Sequence, residues 1–303
     1  MILLAATPRA LAVLDAIHRI RPDLRLTILS FPEHGAEPRY FEVLRARAGA
    51  LKAPFHESRR GDEPAVAPIW REPFDAALLV HWRYLIPAGR LSGATQGAFV
   101  IHDSLLPLYR GFSPTVWAIA NGESRVGATL FRLEEDVDSG PIVDQVEIAV
   151  GRDDTISHVM ERVTGAYVEL VERNLTAILE GRAALSPQNH AAATLARKRT
   201  PQDNRIDWSR TTESIRNLIR AVGQPYPGAY CRLGEHTIRI WKAREVPDGA
   251  GRRAGAPGAI VEVRPEGAIV LTSDGALLVE LVQLEGEPPR PAAEALSGAV
   301  HFE

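Results

Sequence analysis

The chain has 303 residues, 45% hydrophobic and 24% charged; this is the balance of a globular protein with a sizeable core, it excludes disorder and fibrous structure, and the length suggests two domains. Thirty-five basic and 38 acidic side chains leave a net charge of −3, which offers no general attraction to nucleic acid. The single cysteine, Cys231, excludes an internal disulfide and any multi-cysteine metal site and reads as a small buried hydrophobe.

Taken in chain order, Ile2-Leu3-Leu4-Ala5-Ala6 reads as a buried first strand, and Thr7-Pro8 as an N-cap and first helical position, with Leu11, Leu14 and Ile17 on one helical face. Strands are predicted at Leu24 to Leu29, Asp75 to Val80 and Ala98 to His102. Helices are predicted near Tyr40 to Ala48 and Ser113 to Asn121, with an extended segment from Gly127 to Leu133. Such alternation is the mark of a mainly parallel sheet covered by helices. From Asp154 a helical period runs through Ile156, Val159, Val163, Tyr167, Leu170 and Ile178, ending at Gly181. The segment 186–205 lacks an apolar period and reads as a surface linker between domains at 1–185 and 206–303. Beyond a short helix at Thr212 to Val222, brief apolar runs separated by glycine and proline turns suggest a small barrel.

Familiar motifs are missing. The turn Ala6-Thr7-Pro8-Arg9-Ala10 has no glycine for close approach to a dinucleotide pyrophosphate, and the chain holds no triphosphate loop, serine elbow or zinc helix. The histidines are scattered singly, so no metal is expected. No apolar run approaches the roughly 18 residues of a membrane span, and Met1-Ile2-Leu3-Leu4 lacks the basic start of a signal peptide, so a cytoplasmic location without a membrane partner is expected.

The dense segment is Val100-Ile101-His102-Asp103-Ser104-Leu105-Leu106-Pro107-Leu108-Tyr109-Arg110-Gly111, which leaves a predicted strand at its carboxyl end, where open α/β sheets place ligands. A second loop, Glu134-Glu135-Asp136-Val137-Asp138, could return carboxylates to the same edge. An imidazole near neutrality and a supporting carboxylate suit acyl transfer to an amine. The alternative is that His102 caps a strand and the acidic loop is a solvated turn.

The run His102 to Leu106-Pro107 and Arg110-Gly111, with Pro114, Trp117-Ala118, Asn121-Gly122, Gly127-Ala128-Thr129 and Asp138-Ser139-Gly140-Pro141-Ile142, resembles the signature of the 10-formyltetrahydrofolate-dependent formyltransferases. Arg205-Ile206-Asp207-Trp208 and Pro225-Tyr226-Pro227-Gly228-Ala229 resemble the C-terminal region of the methionyl-tRNA and sugar-nucleotide enzymes of that family, so the resemblance covers the chain from about residue 70 onward. It implies a Rossmann-like α/β N-terminal formyltransferase domain and a small OB-like β-barrel. It also implies His102 and Asp138 as catalytic residues. The family's oxyanion-donating asparagine falls at Val100, which has no side-chain donor. Three explanations compete: a chain that only binds folate, a site rebuilt with Asp103, a backbone N–H or His81, or different chemistry on a related ligand. Formyl transfer is the expectation, with a folate-dependent hydrolase or a non-catalytic folate-binding protein as alternatives.

The resemblance places the formyl-folate donor beside Trp82, Arg83, Tyr84, Leu85 and Ile86 and the backbone of Glu134, Glu135, Asp136 and Val137. Asp103, Ser104, Tyr109, Arg110 and Trp117 are candidate acceptor contacts. The acceptor is expected to be a small-molecule amine such as a sugar nucleotide or amino acid. Arg197-Lys198-Arg199 is the only tight basic run, which makes tRNA the lesser candidate.

Overall fold

Four consecutive buried residues form β1 (Ile2–Ala5), and the lack of a polar alternate fits a strand covered on both faces. α1 (Thr7–Ile20) follows and buries Ala10, Val13, Leu14 and Ile17. The computed structural model describes residues 1–34, 39–61, 63–84, 86, 90–247 and 255–302. The remaining elements of the first half are β2 (Thr27–Ser30), α2 (Phe41–Ala50), β3 (Phe55–Glu57), β4 (Ala77–Val80), β5 (Ala98–His102), β6 (Arg110–Gly111), α3 (Pro114–Ala120), β7 (Arg125–Arg132) and β8 (Ile142–Ala149). The 24-residue α4 (Ile156–Leu179) ends this half.

Seven strands make one sheet in the order β3-β2-β1-β4-β5-β7-β8. The pairs from β3 to β5 are parallel, and β7 runs antiparallel to β5. The chain moves outward from β1 through β2 to β3 and then returns to the other side of β1 to form β4. That reversal opens a crevice at the carboxyl ends of β1 and β4, the usual ligand position of an open α/β sheet. One face of the sheet carries Ile2, Leu4, Leu29, Ala77, Leu79 and Ala98, with Trp82, Ile86, Val100 and Leu133 packed against them.

Thr7 differs from its expected role. The N-cap of α1 is Ala6, and Thr7 sits inside the helix start with φ +67° and no capping bond. The chain must turn from β1 into α1 within one residue, and a left-handed conformation achieves this at an expense of about 1–3 kcal/mol. β3 and β8 are additions to the expected elements; β8 lacks a clean apolar alternation, and most of its residues are half-buried.

The chain forms two compact units, Met1–Pro114 with Val126–Ile148 and Met160–Ala196, and Thr115–Arg125 with Ala149–Val159 and Arg197–Glu303. The expected linker therefore divides between them. Its Leu195–Ala196 forms β9, which pairs in parallel with β6.

The second unit holds α5 (Thr212–Ala221), capped by the Thr211 side chain, then β10 (Ala229–Leu233), β11 (His236–Glu245), β12 (Ile260–Arg264), β13 (Gly267–Leu271), β14 (Ala276–Leu284), β15 (Arg290–Pro291) and α6 (Ala292–Ala295). Its strands pair antiparallel in the order β10-β11-β14-β13-β12, with β15 on β14. Cys231 on β10 is fully buried, and that burial pushes its thiol up to about 12.

Candidate active site

β5 ends in His102, one position beyond Ile101, which pairs with Val80 at the end of β4. The imidazole is held from both sides. Its Nε2 lies 3.0 Å from the carbonyl oxygen of Tyr109. A carbonyl oxygen only accepts, so Nε2 carries the proton and the neutral ring keeps its lone pair on Nδ1. That Nδ1 lies 3.6 Å from Asp138 Oδ2, with the two side chains 11% and 18% exposed. The gap is too long for a good hydrogen bond.

Asp138 is itself oriented. It lies in the turn between β7 and β8 with φ +49°, and its Oδ2 accepts from the Gly111 N–H at 2.8 Å. Gln188 donates to the Asp138 carbonyl at 2.9 Å and to the Gly140 carbonyl at 2.7 Å. Arg110 closes this brace: its guanidinium donates to Gln188 Oε1 at 3.2 and 2.6 Å and lies 3.1 Å from His190 Nδ1. Arg110 is buried, so these bonds use it to hold the Asp138 turn. Gln188, from the expected linker, was not singled out in the sequence because nothing local marks it.

A second polar cluster lies behind His102. Asp103 and Arg9 form a buried ion pair at 2.5 Å, each side chain 7% exposed. Tyr167 donates to Asp103 and to the Ile101 carbonyl. His81, directly after β4 with φ +53°, accepts from Arg9 at Nδ1 over 3.0 Å and stands 3.9 Å from Asp103. Burial pushes Asp103 up, but Arg9, His81 and the Tyr167 hydroxyl outweigh it and hold the carboxyl at about 2. Partial burial and the Arg9 charge lower His81 to about 4 against the opposing pull of Asp103. Burial and the neighbouring carboxylate raise Tyr167 well above its ordinary value, so it stays a donor. The sequence reading does not single out Arg9 or Tyr167 for the site: Arg9 looks like an exposed helical residue, and Tyr167 fits the apolar stripe of α4.

The aromatic segment after β4 packs around Phe31. Trp82 and Tyr84 meet the Phe31 ring edge-on at 4.9 and 4.8 Å, and the Arg83 guanidinium lies 5.3 Å from the same ring. Tyr84 Oη is 3.0 Å from His34 Nε2. Ile86 is half-buried, whereas Leu85 lies outside the described residues. Val100 packs with Trp82, Ile86 and Leu133 on the apolar face. Among the described residues, Thr7 Oγ1, Trp82 Nε1 and Ser104 Oγ are buried at the strand ends without a hydrogen-bond partner. Leaving buried groups unpaired costs about 1–3 kcal/mol each, so such a set fits a polar ligand.

The other predicted positions separate. Glu134, Glu135, Asp136 and Val137 are exposed along the β7–β8 turn, where the Asp136 carbonyl accepts from Ser139 Oγ. Tyr109 contributes its carbonyl to His102 and has φ +56°. Trp117 lies in the second unit, with its Nε1 donating to the Arg197 carbonyl at 2.9 Å. The guanidiniums of Arg197 and Arg199 lie 5.0 and 4.4 Å from its ring. No helix among the described residues is long and apolar enough to cross a membrane.

Two sequence profiles match the chain: residues 40–175 match one described as formyl transferase, and residues 198–300 match one described as formyl transferase, C-terminal domain. The structure of HypX from Aquifex aeolicus in complex with tetrahydrofolic acid is similar with a TM-score of 0.63 and 18% identity over 97% of this chain. The chain spans about half of that protein, 46% of its length. WlaRD, a sugar 3N-formyl transferase solved with dTDP and 5-N-formyl-THF, is similar with a TM-score of 0.73 and 17% identity, covering 95% of this chain and 98% of its own. The N-formyltransferase from Helicobacter canadensis, in complex with folinic acid and dTDP-3-aminofucose, has a TM-score of 0.72 and 17% identity, covering 92% of this chain and 97% of its own. At these identities the likeness is one of fold.

Proposed function

The chain belongs to the formyl transferase family, and from that membership we propose that it transfers a formyl group from 10-formyltetrahydrofolate to the amine of a small molecule. The observation that carries this reading is the His102–Asp138 pair, whose free imidazole nitrogen faces the carboxylate. Formyl transfer needs a base for the proton lost by the attacking amine. His102 Nδ1 takes that proton, and Asp138 together with the Tyr109 carbonyl stabilises the imidazolium that results. The Gly111 N–H and the Arg110–Gln188 brace keep Asp138 in place through the step.

The donor fits the residues present. An apolar and aromatic wall from Phe31, Trp82 and Ile86 suits a flat pteridine, and the unpaired Trp82 N–H supplies a donor for its polar edge. When bound, the donor supplies the electrophilic formyl carbon. Trp82, Arg83, Tyr84 and Ile86 are the residues proposed to hold it, with the backbone of Glu134 to Val137 on the opposite loop.

A small acceptor is favoured over tRNA by the fate of the basic run. Arg197 is paired with Asp203, and Arg199 donates to the Asp203 carbonyl and to Asn204 Oδ1. Two of the three cations are thereby engaged within the protein, which weakens the run as a phosphate-tracking surface.

Calorimetric titration with 5-formyltetrahydrofolate, a stable stand-in for the donor, tests the reading. Micromolar binding is expected, weakened about tenfold by Trp82→Phe, which removes the indole N–H and part of the ring face. No binding to the folded wild-type chain contradicts it.

A further inference from the structure

Attack of an amine on a formyl carbon forms a C–N bond and moves the carbonyl π pair onto oxygen. The negative charge needs a positioned hydrogen-bond donor, and Val100 supplies none. The neighbouring strand end supplies one. Arg9 Nη1 lies 3.0 Å from His81 Nδ1, and a guanidinium only donates. Nδ1 of His81 is therefore the acceptor, and the neutral ring carries its proton on Nε2. This tautomer is held in place by the buried Arg9–Asp103 pair, which Tyr167 anchors to the backbone of β5.

The position is equally specific. Val80 pairs with Ile101, so His81, directly after β4, and His102, the last residue of β5, each follow one member of a paired position on adjacent parallel strands. The His81 side chain is 36% exposed, whereas Asp103 behind it is 7% exposed. The backbone of His81 is left-handed, at φ +53°, which is costly for a β-carbon-bearing residue at an otherwise regular strand end. Among the described residues no group accepts a hydrogen bond from Nε2.

We propose, resting on the formyl-transfer reading, that His81 is a second catalytic residue whose Nε2–H donates to the formyl oxygen as charge develops there. His102 and His81 then divide the work. His102 Nδ1 removes the amine proton, while His81 keeps its proton and stabilises the oxyanion. Collapse restores the carbonyl, breaks the bond from the formyl carbon to the folate nitrogen, and returns a proton to that nitrogen. Arg9 and Asp103 are positioning residues, because they act through the His81 ring.

The test uses the full chain with 10-formyltetrahydrofolate and hydroxylamine as surrogate acceptor, following tetrahydrofolate release. His81→Leu is expected to lower kcat about 100-fold while calorimetric affinity for 5-formyltetrahydrofolate stays within threefold. His81→Gln can accept from Arg9 and donate through its amide, so it is expected to retain at least a tenth of the wild-type rate. Full activity in His81→Leu, or a glutamine variant that binds folate yet falls below a hundredth of the wild-type rate, overturns the assignment alone. A wild-type chain that turns nothing over overturns the formyl-transfer reading and this assignment together. Nitrogen-15 NMR of the ligand-free chain at pH 7 provides a readout without turnover: an unprotonated Nδ1 on His81 is expected, and a protonated Nδ1 overturns the proposal.

Discussion

Two imidazoles stand at neighbouring strand ends, and their opposite tautomeric constraints give them opposite uses. His102 offers a lone pair at Nδ1 because Nε2 is spent on the Tyr109 carbonyl, whereas His81 Nδ1 is spent on Arg9. His102→Ala is expected to lower turnover at least 100-fold with folate affinity within a few-fold, compared by steady-state rate and calorimetry; an unimpaired rate removes the residue from the mechanism. Asp103→Asn leaves the buried Arg9 guanidinium without its counter-charge, and thermal or denaturant unfolding should register a loss of about 3–5 kcal/mol. Acid stability has a defined order. His81 is lowered from 6.5 to about 4, so the unfolded chain takes its proton first and folding weakens as pH falls across that interval. Asp103 is lowered from 3.8 to about 2, so its stabilisation is present above the higher value and is lost as pH falls toward the lower one. Denaturant midpoints measured against pH should flatten in the upper interval for His81→Gln; an unchanged slope there refutes the assignment of that interval to His81. The sequence singles out His102 from the dense segment after β5 and Asp138 from the acidic loop that follows. Arg9, Tyr167 and Gln188 were not legible, because their roles arise only when residues 94, 64 and 50 positions away are brought against them.

At the scale of elements, the short β6–β9 pair matters beyond its length. Gly111 has φ +105°, and a Cβ there would stand 2.6 Å from the Ala196 carbonyl oxygen. Gly111→Ala must therefore displace either β9 or the N–H that holds Asp138. About 1–3 kcal/mol of stability should be lost, together with a drop in kcat larger than the drop in folate affinity; a variant with wild-type Tm and rate contradicts the role given to this turn. β1, β4, β5 and α4 were readable from uninterrupted apolar runs and a sustained helical period. β9 was not, because Leu195 is 81% exposed and a two-residue strand has no period to detect. The misplaced cap at Thr7 has a similar cause: Thr-Pro announces a helix start, but the residue that turns out of β1 is decided by the sheet behind it.

Across the whole chain, the second compact unit draws on segments far from its main body. Arg220 donates to the carbonyls of Gly151 and Asp154, Arg216 donates to that of Arg152, and Trp117 bonds to Arg197. A chain ending at residue 196 therefore strips partners from Thr115–Arg125 and Ala149–Val159. Its thermal midpoint should fall by several degrees, or the fragment should precipitate; an unaltered midpoint would show that those segments hold without Arg197–Glu303. Each compact unit is assembled from separate stretches of the chain, which sequence order alone does not reveal. The central claim, that this fold brings a base and a folate donor together for formyl transfer, is tested most directly by tetrahydrofolate release from 10-formyltetrahydrofolate with and without an amine. The account predicts amine-dependent release by the wild-type chain that disappears in His102→Ala. Release that is unaffected by His102→Ala, or no release from a folded chain with any amine supplied, would contradict it.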